Sequence, residues 1–157
     1  MDRNSVGDVL RGCLSQHCSD CLGVEVLVTS CLKLKEDVKE KIGGLYAFID
    51  DNTVYYVGRT TDVLRRVGDE HCCVHIGGSE GVVMFLMHLL DKVCTDPRIR
   101  EARGAVEREE IVAEIVRNFL SKLKIVLAIC VSEPDRKCLT KAEECAKIRL
   151  KPILNPP

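Results

Sequence analysis

The chain has 157 residues, 46% of them hydrophobic and 30% charged, which is enough for one domain with a proper core and excludes a disordered segment. A formal net charge of −1 excludes a dedicated coater of nucleic acid, because phosphate contacts need Lys and Arg, so any such contact must come from a local patch. The longest apolar run, 82–90, is interrupted by His88 and is far too short to span a bilayer.

No basic N-terminal region leads into an apolar stretch, and the expected location is the cytoplasm. Val6, Val9, Leu10, Cys13 and Leu14 recur at three- and four-residue steps and form one side of a short helix. Residues 23–33 alternate loosely and read as strand or helix, and 35–41 as a charged helical turn or linker. The segment 1–41 is expected to pack on the core as an accessory extension. Four of the ten cysteines, Cys13, Cys18, Cys21 and Cys31, cluster here with His17, and Cys18 and Cys21 have a zinc-type spacing. A second spaced pair is missing, so structural zinc is disfavoured. The alternatives are reduced cysteines acting as small hydrophobes, or the intracellular disulfides of a thermophile. A chain whose only glutamine is Gln16, rich in Glu, Lys, Val and Ile, accords with the second. No pairing follows from the sequence.

Leu45 to Ile49 and Thr53 to Val57 are rich in aromatic and β-branched residues and read as two strands, with Asp50-Asp51-Asn52 as the turn. With a three-residue turn, Ile49 pairs with Thr53, and Tyr46 lies opposite Tyr56 on one face. With a two-residue turn, the tyrosines point to opposite faces. Gly58 ends the second strand. Thr60-Thr61-Asp62 offers cap oxygens, and Val63, Leu64 and Val67 give a helical stripe. His71 and His75 flank Cys72-Cys73, but adjacent cysteines ligate one ion poorly, so no metal is expected there.

Gly77-Gly78 breaks the chain, and Ser79 caps a helix to about residue 93. That helix is apolar nearly all round, which suits burial or a subunit contact. Thr95-Asp96-Pro97 stops it. A second helix, 105–123, buries Val112, Ile115, Val116, Phe119 and Leu120, and its acidic outer face should repel DNA. Residues 125–131 are a solid apolar run, read as a central strand, and Thr140 caps the last helix. The expected fold class is α/β, a small three-stranded antiparallel or mixed sheet flanked by helices.

Gly44-Leu45-Tyr46, then Tyr56-Val57-Gly58 with its tyrosine ten residues after the first, then Arg66 eight after Gly58, resembles the GIY-YIG nucleases. Ala142-Glu143 with Leu150-Lys151-Pro152-Ile153-Leu154-Asn155 is similar to that family's closing helix and Pro-x-x-Asn tail. The resemblance covers 42–157, with a helical insertion at about 79–123. It implies a metal-dependent DNA endonuclease that hydrolyses phosphodiester bonds with an activated water.

On that resemblance Glu143 holds a single Mg2+ or Mn2+ and Arg66 contacts the phosphate. Tyr46 takes or orients the water's proton, helped by a pKa that Arg66 and the metal would lower. Tyr56 lines the site and Asn155 braces it. His71 is closest to the family's His or Tyr position, with His75 the runner-up. Glu143 is preferred to Glu144 because it sits at the edge of the stripe made by Leu139, Ala142, Ala146 and Leu150, whereas Glu144 faces solvent. Ile148 dissents, since it fits the family pattern better with Glu144 as the acid. DNA contacts fall to Arg59, Arg65, Lys147 and Lys151, with Arg149 in the same run. The alternatives are a non-catalytic nucleic-acid-binding or assembly module on the same fold, and a cysteine-based metal or redox protein. A protein partner or homodimer stays open.

Overall fold

The apolar run at 125–131 has to bury both faces and both edges, and the sheet is arranged around it. The computed structural model describes residues 3–155; Met1, Asp2, Pro156 and Pro157, at the ends of the two expected segments, lie outside the described residues. Among the described residues the order is α1 (Arg3–His17), β1 (Val24–Thr29), α2 (Leu34–Asp37), β2 (Gly44–Ile49), β3 (Val54–Thr60), a π-helix (Leu64–Cys72), α3 (Glu80–His88), α4 (Leu90–Thr95), α5 (Pro97–Glu101), α6 (Ala105–Leu120), β4 (Lys124–Cys130) and α7 (Arg136–Leu150).

The fold is α/β with a four-stranded sheet in the order β1-β4-β2-β3, every neighbour antiparallel. The expectation of three strands is corrected by β1. The loosely alternating stretch near residue 24 pairs with β4 from Val24 opposite Cys130 to Thr29 opposite Ile125. Without it, β4 would expose a row of unpaired amides on an apolar strand.

The two faces of the sheet differ in kind. Leu45, Ala47, Val57, Val126 and Ala128 meet α1 and α7 through Leu10, Leu14, Leu139, Ala142 and Ala146, and the alanines let the helices lie close. The other face carries Tyr46, Phe48, Tyr56, Ile125 and Leu127 against Val67, Phe85, Val116 and Leu120. The chain has three tyrosines, three phenylalanines and no tryptophan. All six join His71 and His88 in one connected set of ring contacts on this side.

The hairpin register departs from both sequence-based alternatives. Asp50 Oδ1 accepts from the N–H groups of Asn52, at 2.8 Å, and Thr53, at 2.7 Å, as turn chemistry requires. A bulge between Phe48 and Ile49 then shifts the ladder. Tyr46 lies opposite Gly58 and Phe48 opposite Tyr56, so the tyrosines are diagonal neighbours on one face, ring centroids 6.1 Å apart. β3 runs through Gly58 to Thr60 rather than ending at the glycine.

Three helix ends also differ. The apolar helix breaks at Leu89 into α3 and α4. Asp96 and Pro97 both end one helix and open α5, where Asp96 accepts from the Arg98 N–H. Asp135, not Thr140, caps α7; Thr140 sits inside the first turns and donates to the Arg136 carbonyl.

Beyond α7 the tail returns to β3, the sheet's outer strand. Ile153 N–H donates to the Val54 carbonyl at 3.1 Å and Leu154 N–H to the Tyr55 carbonyl at 2.9 Å.

Disulfides join the N-terminal segment to the rest. Cys13–Cys145 ties α1 to α7, Cys18–Cys138 and Cys21–Cys130 tie the loop after α1 to α7 and β4, and Cys31–Cys72 ties the loop after β1 to the π-helix. All four candidate zinc cysteines are thereby engaged with distant partners, while Cys73 and Cys94 are free and exposed. No helix among the described residues is long and apolar enough to cross a membrane.

Candidate active site

Tyr46, Tyr56, Arg59, Arg66, His71, Glu143 and Lys147 line one open cavity of about 420 Å³, together with Gly78, Ser79, Glu80 and Gly81. The cavity sits at the outer edge of the sheet. The tyrosines belong to the aromatic face. Arg59 has the parity of Val57 and meets α7, which packs on the opposite face. A larger groove of about 630 Å³ on α5 and α6 is lined by Glu101, Glu107, Glu110 and Glu114 with Arg98 and Arg117 among them.

The π-helix is what sets Arg66 and His71 together. In an α-helix, residues five apart point about 140° apart. In a π-helix the hydrogen bonds close to the fifth residue, so residues five apart stack and can share a cavity. Cys73 N–H donates to Gly68 and His75 N–H to Glu70 in this pattern. The sequence leads to an ordinary helix here, and a single turn of apolar spacing does not separate the two. Arg66 is fixed by an ion pair with Glu70, which Arg65 shares.

Gly58 leaves room for Tyr46. The Tyr46 ring crosses its register partner, and a Cβ on Gly58 would strike Tyr46 Cζ and Oη. Gly58→Ala is therefore expected to expel Tyr46 from its rotamer and lower stability by about 1–3 kcal/mol, the usual cost of overpacking. Urea denaturation checks this, and an unchanged midpoint would mean that the tyrosine is free to move.

Tyr46 Oη and His71 Nε2 are 2.8 Å apart, both buried. Burial pushes the Tyr46 hydroxyl well above its usual value, with Tyr56 adding to the rise, and Arg66 offsets only part of it. Arg66 pushes this pKa down as expected, but the net direction is upward: losing water outweighs gaining a cation. Burial, then Glu143 and Glu80, lifts Tyr56 to about 12. Burial, reinforced by Arg66, holds His71 down to about 3. At neutral pH both tyrosines are protonated and the imidazole is uncharged.

Glu143, on the inner side of α7, faces two cations. Arg59 Nε stands 2.9 Å from Oε2 and Lys147 Nζ 3.0 Å from Oε1. The Arg59 contact is electrostatic only, because its N–H is not aimed at the oxygen and makes no hydrogen bond among the described residues. Glu144 is exposed, as are His75 and Ile148, and none of them lines the cavity. Arg65 and Lys151 are exposed and also lie off it. Arg149 contacts Cys13 on the α1 side. Asn155 grips the backbone of β3: its Oδ1 accepts from the Val57 N–H at 3.1 Å and its Nδ2 donates to the Val57 carbonyl.

Gly78, Ser79, Glu80 and Gly81 are the lining residues that sequence reasoning missed. Ser79 was legible only as a helix cap, yet its side chain makes no cap hydrogen bond. Buried side-chain polar atoms without a partner, among the described residues, are Arg59 Nε, His71 Nδ1 and Ser79 Oγ, and all three belong to residues lining this cavity. Buried polar groups are normally satisfied, so orphans gathered in one place mark a site meant for something else.

A divalent ion finds a modest donor set here. No group of three or more His, Cys, Asp or Glu side chains with metal-binding geometry occurs among the described residues. Hydrated Mg2+ asks for only one or two carboxylates plus substrate oxygens, which Glu143 fits, with Glu80 in the same cavity. Arg59 and Lys147 already hold both Glu143 oxygens and would compete with the ion. Comparison with family models, curated proteins and solved structures finds no match to this chain.

Proposed function

We propose that this chain is a DNA endonuclease of the GIY-YIG type, hydrolysing a phosphodiester with an activated water. One observation carries the reading: Tyr46, Tyr56, Arg66, His71 and Glu143, scattered over the sequence, line the same cavity. In this reading Arg66 binds a non-bridging phosphate oxygen, where a guanidinium suits charge developing in the transition state. Tyr46 orients the water and relays a proton: its oxygen accepts from the water while its own hydrogen moves to His71 Nε2. A phosphate beside Arg66 favours that relay, since its negative charge opposes the cation that helps keep His71 neutral. Asn155 holds the outer strand in place. Glu143 would bind one Mg2+ or Mn2+, which would supply positive charge for the phosphate and acidify a water.

Incubation of the purified protein with plasmid and branched DNA, with Mn2+ or with EDTA, tests the activity. Arg66→Ala is expected to lower cleavage about 10²-fold or more, and Arg65→Ala far less. Glu143→Gln should abolish metal-dependent cutting and leave DNA binding nearly intact, while Glu144→Gln stays active. Equal losses from Arg65→Ala and Arg66→Ala would reduce the site to a general basic patch.

The double ion pairing of Glu143 favours a second reading, a non-catalytic nucleic-acid-binding module. It predicts DNA binding that neither Mn2+ nor Glu143→Gln alters. The four disulfides together with a DNA substrate are reconciled by the cell interior of a thermophile, where intracellular disulfides persist.

A further inference from the structure

The wall of the cavity facing the tyrosines is the first turn of α3. Ser79 precedes that helix with extended backbone, φ −152° and ψ 150°, the conformation of a capping residue. Its hydroxyl makes no cap hydrogen bond and, although buried, has no partner among the described residues. The first amides of a helix have no acceptor within it and carry the positive end of its dipole. Among the described residues no side chain caps them.

A second, independent feature faces the same turn. His71 is fully buried and its Nδ1 is also without a partner among the described residues. A Cβ on Gly81 would strike His71 Cε1 and come within 3.0 Å of Nδ1, so the glycine brings the helix start against the imidazole. With Tyr46 as donor to Nε2, Nδ1 carries the ring hydrogen, and the turn then presents a hydroxyl, a ring N–H and helix amides together. All of these are donors, the complement of an anion.

Charge narrows the class of anion. Arg59, Arg66 and Lys147 line the cavity against Glu80 and Glu143, and the Glu70 carboxylate paired with Arg66 is matched by Arg65, leaving one net positive charge. That balances a singly charged phosphodiester better than a doubly charged phosphate monoester. We propose that Ser79, the α3 amides and His71 Nδ1 form a phosphodiester subsite beside the tyrosines. It rests on reading the cavity as a phosphodiester site, and it names the groups that hold the strand there.

Amide NMR titration of the oxidised 157-residue chain tests the subsite, using thymidylyl-thymidine as the phosphodiester and inorganic phosphate as the free anion. The dinucleotide should shift the amides of Glu80, Gly81 and Val82 saturably. Ser79→Ala should weaken it about tenfold, the loss of one charge-assisted hydrogen bond, with an unchanged melting temperature because Oγ supports no cap. Ser79→Thr, which keeps a hydroxyl, should restore binding. Unmoved amides, or equal affinity in Ser79→Ala, overturn the subsite. Tighter binding of inorganic phosphate than of the dinucleotide overturns the phosphodiester assignment. Dinucleotide binding that depends on Ser79, without DNA cleavage, leaves the subsite standing and removes the endonuclease reading. Cleavage with no dependence on Ser79 does the reverse.

Discussion

Reducing the protein with dithiothreitol is expected to lower its unfolding free energy by at least about 4 kcal/mol. Cys13–Cys145 spans 132 residues, Cys18–Cys138 spans 120 and Cys21–Cys130 spans 109. In the chain-entropy picture, one crosslink closing a loop of about 100 residues stabilises by roughly 4.7 kcal/mol, because the unfolded chain loses that freedom in advance. The three long bridges are nested, so their effects do not add. Once Cys13–Cys145 is closed, Cys18–Cys138 completes a ring of only about a dozen residues, worth roughly 3 kcal/mol on the same scale. Thiol titration in denaturant gives the count directly: two thiols without reductant, from Cys73 and Cys94, and ten with it. Ten thiols in the unreduced protein, or identical urea midpoints in both states, would show that the bridges do not form. Cys94→Ser, at an exposed free thiol, is the control and should leave the midpoint unmoved.

The bridges also show what periodicity can and cannot carry. The β2–β3 hairpin, β4, α6 and α7 were legible because each has a local pattern: alternation, an unbroken apolar run or a three-and-four stripe. β1 was not. Its side chains read intermediate, exposed, exposed, intermediate, exposed, buried, because it is an outer strand with Val26 and Val28 partly open to solvent. The disulfide partners lie too far apart in sequence for spacing to name them. The offset hairpin register rests on a bulge, and a turn of two Asp and one Asn admits several ladders.

The candidate site divides along the same line. Tyr46, Tyr56, Arg66 and Glu143 were visible through a spaced motif, and helix geometry together with the spacing to Pro152 and Asn155 separated Glu143 from Glu144. The electrostatics were not visible. Arg66 near Tyr46 suggested a lowered hydroxyl pKa, but the cost of burying a phenolate depends on how deep the ring sits, which spacing does not encode. The π-helix was equally hidden, although it decides that His71 rather than the exposed His75 reaches Tyr46. Ser79 looked like a cap by residue type and position; only the idle hydroxyl marks it as something else.

Lowering the pH from 7 to 4.5 is expected to destabilise the protein by about 3 kcal/mol through His71 alone. The imidazole is neutral in the fold, with its pKa held at about 3 by burial and by Arg66. In the unfolded chain the ordinary value is about 6.5. Between those two values the unfolded state binds a proton that the folded state refuses, so stability rises with pH across this window and falls as pH drops through it. The slope fades out about one unit above pH 6.5, and the full loss, on the order of 5 kcal/mol, is reached only below about pH 3. Every other group that titrates in this range contributes alike to wild type and to a variant that changes His71 alone. The reading is therefore the difference in slope between wild type and His71→Phe. Phe keeps the aromatic contacts with Phe48 and Tyr56 but cannot take the proton. At pH 7 it should be less stable by about 1–3 kcal/mol, since the Tyr46 hydroxyl loses its partner. Toward pH 4.5 the two curves should converge as the wild type loses what His71 costs it. Parallel curves for His71→Phe across pH 6.5 to 4 would mean that His71 takes its proton within the fold, and that the buried neutral Tyr46–His71 pair does not exist in solution.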